Sequence, residues 1–291
     1  MRYFITHRIH YTYESAVGLH HQLLQLRPRC DVHQKLHHFS LEITPAPTAL
    51  YETLDLDGNA TLKAVFSDLK TPELVIEAVS EVETFCTNPF NYLLEPWATT
   101  LPIAYPAVLW QQLQPYLTGQ LTGGLTAAID PVAAQLAQEL WVATSGNVSS
   151  FLAQLNQQIY QSCGYTLRET GSAYPPGVTW TQKSGSCRDY TVLFIEVCRA
   201  VGLAARFVSG YQEGDVDSED RHLHAWAEVY LPGAGWRGYD PTHGLAVADR
   251  HIALVATPTA KNSAPVIGEL QQKNVGADMS YTLTIKFLPE G

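Results

Sequence analysis

Hydrophobic and polar residues alternate through much of the first 87 residues, which predicts a β-rich N-terminal domain over 1–87. The stretches 39–43 and 62–66 alternate in this way. Asp57-Gly58 stands between two runs and is a hairpin-turn signal. Five to seven short strands separated by turns predict a β-sandwich or an open sheet.

The pattern changes after residue 87. Prolines and aromatic residues crowd 88–124, which predicts a connector packed on the rest of the chain, because prolines at this density stop long helices. From 125 the apolar spacing becomes helical, and Pro131 suits the first turn of a helix. We predict a core over 125–250 and a C-terminal extension over 251–291 that ends in a final strand.

A largely buried helix is predicted to begin at Cys187. Ser186 can cap this helix, and Asp189 lies in its first turn, where a carboxylate is favoured by the helix dipole. Two strands follow, at 222–230 and 236–239. A Pro-Gly turn joins them, so we expect them to be antiparallel neighbours.

Cys187 is the candidate nucleophile. A thiol at a helix N-terminus is shifted toward thiolate by the helix dipole and the free backbone N–H groups. The same N–H groups could hold the oxyanion of a tetrahedral intermediate. The alternative is a small apolar residue packed at a helix start, since buried cysteines are common.

His224 and Asp240 are the candidate partners of Cys187. The odd positions of the strand 222–230 are apolar, so His224 projects from the opposite face, where it could take the thiol proton. Hairpin geometry brings Asp240 near His224, where its carboxylate would orient the imidazole. The alternatives are a half-exposed strand histidine and an Asp-Pro turn.

Three motifs resemble the transglutaminase-like superfamily. They are Gly185-Ser186-Cys187-Arg188-Asp189, His224-Ala225-Trp226 and Asp240-Pro241-Thr242, with 203–211 matching the segment between helix and strand. This resemblance covers about 160–245. The N-terminal strands are similar to the β-rich domain that precedes the core in bacterial members.

The resemblance implies an α+β fold, with an N-terminal β-rich, sandwich-like domain followed by a papain-like (cysteine proteinase) transglutaminase core. It implies Cys187 as nucleophile, His224 as base and Asp240 as orienter, with no metal and no organic cofactor. Many members carry Gln after the cysteine where this chain has Arg188, which bears on local substrate contacts and not on the nucleophile. No motif identifies the second oxyanion donor, for which the candidates are Tyr165, Trp180 and Gln182.

Composition narrows the possible partners and the location. The 291 residues carry a formal net charge of -10, and their 18 Lys and Arg residues are scattered, which argues against nucleic-acid binding. Five cysteines without a CxxC pair do not resemble a disulfide framework. Neither a secretory signal nor a membrane-length apolar stretch occurs, so we predict a cytoplasmic protein that binds no membrane.

For three further features we favour a purely structural interpretation. The acidic loop 215–220 could bind calcium or favour basic substrates, but acidic loops usually stay hydrated. Cys198, in the buried helix, is interpreted as structural. The N-terminal histidines fit no zinc spacing, and we interpret them as strand-surface residues: His7, His10, His20, His21, His33, His37 and His38.

Three functions therefore compete. The favoured hypothesis is a protease or amidohydrolase, in which water resolves the acyl-enzyme on Cys187. The second is a protein-glutamine gamma-glutamyltransferase, in which an amine resolves it. The third is a non-catalytic binding module on the same fold. Both enzyme hypotheses predict a peptide or protein substrate with a side-chain or backbone amide, and the oligomeric state stays open.

Overall fold

The computed structural model describes residues 1–67, 70–118, 121–122, 125–126, 128–168, 171–214 and 222–289. The helices in these ranges are α1 (Ala107–Leu117), α2 (Pro131–Ala143), α3 (Val148–Ser162), α4 (Pro176–Gln182) and α5 (Cys187–Ala200). The strands are β1 (Arg2–Val17), β2 (Leu19–Leu24), β3 (Gln34–Thr44), β4 (Ala49–Leu54), β5 (Ala60–Val65), β6 (Thr71–Thr84), β7 (Leu121–Thr122), β8 (Leu125–Thr126), β9 (Gly164–Tyr165), β10 (Ser184–Gly185), β11 (Ala205–Gln212), β12 (Leu223–Leu231), β13 (Gly235–Asp240), β14 (Leu245–Ala246), β15 (His251–Thr257), β16 (Val266–Leu270) and β17 (Ala277–Leu288).

The N-terminal part is a sandwich of two four-stranded sheets. One sheet has the strand order β17-β1-β6-β3, and the other has the order β16-β2-β5-β4. Apolar residues of both sheets meet in one core, among them Ile9, Leu24, Leu62 and Ile76. The predicted α+β fold with an N-terminal β-sandwich is confirmed.

Strand β1 joins this sandwich to the rest of the chain. Its odd positions are buried along most of its length. Ile9 and Tyr13 face the sandwich core. Tyr3 and Ile5, on the same face, instead pack against residues of β11 and β15. One alternating strand therefore contributes to two cores, and the sandwich is held against the second sheet system by apolar burial.

The second part is built on a five-stranded antiparallel sheet with the order β14-β13-β12-β11-β15. Helices α2, α3 and α5 share a core with one face of this sheet. The odd positions of β12, including Ala225 and Val229, point into that core, as their alternation predicts. Phe194 of α5 stacks on Tyr239 with ring centroids 5.5 Å apart, which fixes the helix against the strand that ends at Asp240.

The C-terminal residues contribute to both parts of the molecule. Strand β15 lies in the five-stranded sheet, where it pairs with β11. Its residues fall within the segment predicted as a C-terminal extension. Strands β16 and β17 return to the sandwich and pair with β2 and β1. The domain limits at 87, 124 and 250 stay predictions.

Candidate active site

Cys187 begins α5, next to a network of hydrogen bonds around the buried carboxylate of Asp189. Asp189 is fully buried, and its Oδ2 accepts hydrogen bonds from the backbone N of Ser186 at 2.7 Å and from the Ser186 hydroxyl at 2.8 Å. The residue before this cap, Gly185, tolerates no side chain, because a Cβ there would lie 2.8 Å from the Cβ of Asp189. The cap predicted at Ser186 thus takes the form of a tight turn closed by Asp189.

Asp189 also ties this helix start to the preceding loop. The Arg168 guanidinium donates to both carboxylate oxygens at 2.8 Å, and the backbone N of Tyr174 donates at 2.7 Å. Although burial favours protonation, hydrogen bonds from Ser186, Tyr174 and Arg168 lower the pKa of Asp189. The carboxylate therefore stays charged, and it holds the helix N-terminus that carries Cys187.

Strands β12 and β13 bring His224 and Asp240 together. The register pairs Ala227 with Tyr239, so Asp240 lies one position further along, diagonal to His224 on the same face. His224 Nε2 is 2.8 Å from Asp240 Oδ2, with side-chain exposures of 9% and 0%. His224 is therefore buried, and is not the half-exposed strand histidine of the alternative interpretation.

The pair is charged at neutral pH. Burial alone would lower the pKa of His224, but the charge and hydrogen bond of Asp240, with smaller contributions of the same kind from Cys187, raise it to about 10. Burial likewise opposes the ionisation of Asp240, whose pKa is nonetheless held well below its usual range by the charge of His224 and by hydrogen bonds from histidines. Since Nε2 is engaged by Asp240, Nδ1 is the ring atom left for the Cys187 thiol.

Cys187 and His224 open into a cavity of about 940 Å³. Its walls come from both parts of the molecule. The part built on the five-stranded sheet contributes Tyr165 and Val192. The sandwich contributes residues of β1 and β17, such as Tyr11 and Met279. A substrate at the thiol would therefore contact the sandwich as well as the core sheet.

The cavity separates the three candidates for the second oxyanion donor. Tyr165 lines it and lies close enough to Cys187 for the two groups to interact electrostatically. Neither Trp180 nor Gln182 is among the described residues that line it. Trp180 packs against the helical core, and Gln182 is exposed.

Comparison with known proteins adds independent evidence. The model of the transglutaminase-like superfamily matches residues 134–241, and that of the bacterial transglutaminase-like N-terminal region matches residues 3–83. The segment 134–241 belongs to the transglutaminase-like superfamily. Both matches coincide with structural units described above, since the first spans α2 through Asp240 and the second spans the sandwich strands β1 to β6.

Several transglutaminase-like relatives differ in how much of this chain they share. An uncharacterized protein of Mycobacterium bovis, Mb2599c, is 28% identical over 274 residues, or 87% of this chain and 82% of its own. A protein-glutamine gamma-glutamyltransferase of Pseudomonas aeruginosa is 31% identical over 150 residues, or 48% of this chain and 21% of its own. The solved structure of a candidate cysteine protease from Cytophaga hutchinsonii has a TM-score of 0.70 at 20% identity, covering 100% of this chain and 92% of that one. At this identity the solved structure supports the fold alone.

Two histidines of this transglutaminase-like core were missed from sequence. His243 Nδ1 lies 2.9 Å and His251 Nε2 lies 3.1 Å from the same Asp240 oxygen that contacts His224. His243 follows Asp240 by three residues, so the Asp-Pro turn itself could have indicated its proximity. For His251 no local signal exists, because β15 pairs with β11 and not with the Asp240 strand.

The remaining candidates of the sequence interpretation are engaged in local contacts. The Arg188 guanidinium donates to the backbone oxygens of Gly171 and Arg168, so it organises the loop beside the thiol. Cys198 is buried in α5, and burial raises its pKa well above the usual value of a thiol. The acidic loop 215–220 lies outside the described residues.

Metal-ligating side chains converge at the candidate active site. His224, Asp240 and His243 place three possible ligand atoms within 4.8 Å of one another, but the same atoms already make the hydrogen bonds given above. Among the N-terminal histidines, His10 and His37 each pair with one glutamate, while buried His7 contacts the Tyr211 hydroxyl. Within the described residues, hydrogen bonds and ion pairs of the protein itself occupy these side chains.

Proposed function

We propose that this protein is a cysteine-dependent acyl-transfer enzyme that cleaves amide bonds, with water as the acceptor. The observation that carries the proposal is the buried 2.8 Å contact between His224 Nε2 and Asp240 Oδ2. Cys187 lies close enough to His224 to contribute to its raised pKa, at a helix N-terminus that lines the cavity. Geometry and roles identify such a triad, not spacing in the chain.

The chemistry follows from these positions. In the resting ion pair His224 already holds the Cys187 proton, and the thiolate attacks the amide carbon to form a tetrahedral oxyanion. When the C–N bond breaks, the leaving nitrogen takes the proton from the imidazolium, and a thioester remains on Cys187. Water then loses a proton to His224 and attacks the thioester, which releases a carboxylic acid and restores the thiol.

Two donors are proposed for the oxyanion. The first is the backbone N–H of Cys187, which belongs to the unpaired first turn of α5. The second is the Tyr165 hydroxyl. Burial and the nearby Cys187 raise the pKa of Tyr165 to about 12, so its phenol keeps its proton at any working pH. Strand β9, which carries Tyr165, pairs with β10, which ends two residues before Cys187. This pairing places the segments that carry the two donors side by side.

The runner-up function is gamma-glutamyl transfer to an amine. It is favoured by the 31% identity over 150 residues to the Pseudomonas aeruginosa gamma-glutamyltransferase. The same triad serves both reactions, because only the second acceptor differs. We place hydrolysis first because water is the default acceptor unless the bound enzyme excludes it.

A single incubation separates these reactions. The protein is mixed with a glutamine-bearing protein and a fluorescent primary amine, and three products are measured: ammonia, new glutamate, and incorporated amine. New chain termini are measured in parallel to detect backbone cleavage. Ammonia with glutamate, or new termini, supports hydrolysis, whereas amine incorporation without a net acid product supports the transferase. Cys187→Ala should abolish every product.

A non-catalytic binding module is the remaining alternative. It predicts an ordinary thiol at Cys187, unaffected by the His224→Ala substitution, and no product from any amide. Among the described residues, no helix is both long and apolar enough to cross a membrane. The cytoplasmic location stays a prediction, as do the absence of nucleic-acid and membrane partners.

A further inference from the structure

Asp240, the orienting carboxylate of the proposed triad, contacts other groups in addition to His224. Asp240 Oδ2 faces His224 on the cavity side, and the same oxygen meets His251 Nε2 at 3.1 Å. Oδ1 accepts a hydrogen bond from the backbone N of Thr242 at 3.0 Å. Because an ionised carboxylate only accepts, His251 Nε2 must carry a proton and donate it.

His251 is locked in place by its surroundings. Its side chain is 4% exposed, and the buried Trp226 ring lies edge-on at a centroid distance of 5.2 Å. Strand β15 can approach this closely because Gly210 has no side chain. A Cβ at Gly210 would lie 2.2 Å from the Ile252 carbonyl oxygen and 2.6 Å from the Trp226 ring. Burial and the contact with Trp226 therefore favour a fixed imidazole beside Asp240.

The protonation state of His251 suits a fixed donor. Burial lowers the pKa of His251, as do the neighbouring imidazoles of His224 and His243, although the Asp240 carboxylate opposes the shift. The ring is thus neutral, and its one proton lies on Nε2. The other ring nitrogen, Nδ1, has no hydrogen-bond partner among the described residues, which agrees with this tautomer.

His243 makes the same contact under different conditions. Its side chain is 41% exposed and lies on the turn that follows β13, three residues after Asp240. An exposed side chain on a turn can leave the carboxylate at little cost, because water replaces its hydrogen bond. Of the two additional histidines, only His251 is itself buried. Only His251 is therefore suited to fix the orientation of the Asp240 carboxylate.

We propose that His251 is a positioning residue of the active site, whose neutral Nε2–H fixes the Asp240 carboxylate in the orientation that supports His224. This inference rests on the proposed function for its kinetic consequence, but its structural content does not depend on a substrate. Without the His251 donor, Asp240 turns away from His224, the imidazolium loses its counter-charge, and the Cys187 thiolate loses its partner in turn.

The test compares His251→Phe, which keeps a ring but removes the donor, with His251→Gln, whose amide can reach the same oxygen. Histidine side chains are observed by ¹⁵N NMR, and the Cys187 peptide is followed by mass spectrometry during iodoacetamide alkylation. We expect wild-type His251 to be the neutral Nε2–H tautomer. In His251→Phe we expect a lower pKa for His224 and an alkylation profile moved to higher pH. Both changes should be reversed in His251→Gln.

Activity supplies a second readout once a substrate is in hand. We expect kcat to fall on the order of 10- to 100-fold in His251→Phe with KM within about twofold, because a hydrogen bond to a charged group is lost at a residue remote from substrate. His243→Ala is the matched loss of a donor from the exposed side, and it should change kcat by less than His251→Phe does.

The outcomes separate this inference from the proposed function. A His224 pKa that is unchanged or raised in a folded His251→Phe protein overturns the positioning role, as does an Nδ1–H tautomer in wild type. If His251→Phe does not fold, a wild-type His224 titration in His251→Gln supports the role, and a lowered one overturns it. Failure of the proposed function looks different: wild-type alkylation would then be insensitive to His224→Ala, while the NMR result on His251 would still stand.

Discussion

Two buried carboxylates, Asp189 and Asp240, belong to the candidate active site, and they are stabilised in different ways. Asp189 is bound by a guanidinium, two backbone N–H groups and a hydroxyl, none of which changes charge near neutral pH. Asp240 is bound mainly by three imidazoles, a type of side chain that can take up and release a proton. We infer that Asp189 stabilises a helix start, whereas Asp240 serves a centre where protons move.

The comparison is tested most severely by Asp240→Asn. An amide cannot stabilise the imidazolium and favours the wrong orientation or tautomer of His224, so we expect kcat to fall on the order of 10³- to 10⁴-fold. Steady-state kinetics on a substrate identified by the incubation described above checks this. A fall of less than about tenfold would contradict the role given to Asp240, provided that the variant melts near the wild-type temperature.

Asp189→Asn should act on stability first. It leaves the Arg168 guanidinium, which is 18% exposed, without its counter-charge, and breaking such a buried pair costs about 3–5 kcal/mol. Urea denaturation measures the loss of unfolding free energy. Arg168→Met with Asp189→Asn is the control, because removing both charges should recover part of the loss. Wild-type stability in the single variant would refute the structural role.

Tyr165→Phe examines the proposed oxyanion donor. Loss of one oxyanion donor typically lowers kcat about 10²- to 10³-fold. Alkylation by iodoacetamide forms no oxyanion, so its rate and pH profile should stay at wild-type values. The exposed Tyr160→Phe is the matched control. A parallel loss of alkylation would mean that Tyr165 supports the thiolate and not the oxyanion.

The smallest expected effect concerns His7, a buried histidine that contacts the Tyr211 hydroxyl and not a carboxylate. Burial lowers the pKa of His7 to about 4, below the value of about 6.5 in an unfolded chain. Its neutral form therefore contributes stability above pH 6.5, and this contribution is lost as the pH falls toward 4, with a slope of at most about 1.4 kcal/mol per pH unit. His224 has the opposite sign, since its raised pKa contributes stability below pH 6.5 that is lost as the pH rises through about 10.

Denaturation of wild type and His7→Asn between pH 7 and pH 4 measures the His7 contribution. Asparagine keeps a polar atom near the Tyr211 hydroxyl but does not titrate in this range. We expect the free energy of unfolding of the variant to fall less steeply with decreasing pH. Parallel curves would show that His7 protonates as easily in the folded protein as in the unfolded one.

Much of the candidate site was accessible from sequence because its members are local to their elements. Cys187 was identified by the cap before it and the helix after it, and both occur as predicted. His224 was assigned to a face by the alternation of β12, and Asp240 was brought near by a short hairpin. These are contacts that a helix start, a strand period and a turn dictate, whichever chain surrounds them.

Other features depended on which strands became neighbours. Nothing in the residues of β15 indicates that it pairs with β11, or that β17 returns to pair with β1 across the whole length of the chain. Sheet order is decided by the total apolar area buried when distant strands meet, a sum over the whole chain that no local window contains. Local order therefore specified the candidate nucleophile and its nearest candidate partners. Tertiary packing alone added His251 behind Asp240 and the sandwich wall of the cavity, because both rest on contacts between residues far apart in the chain.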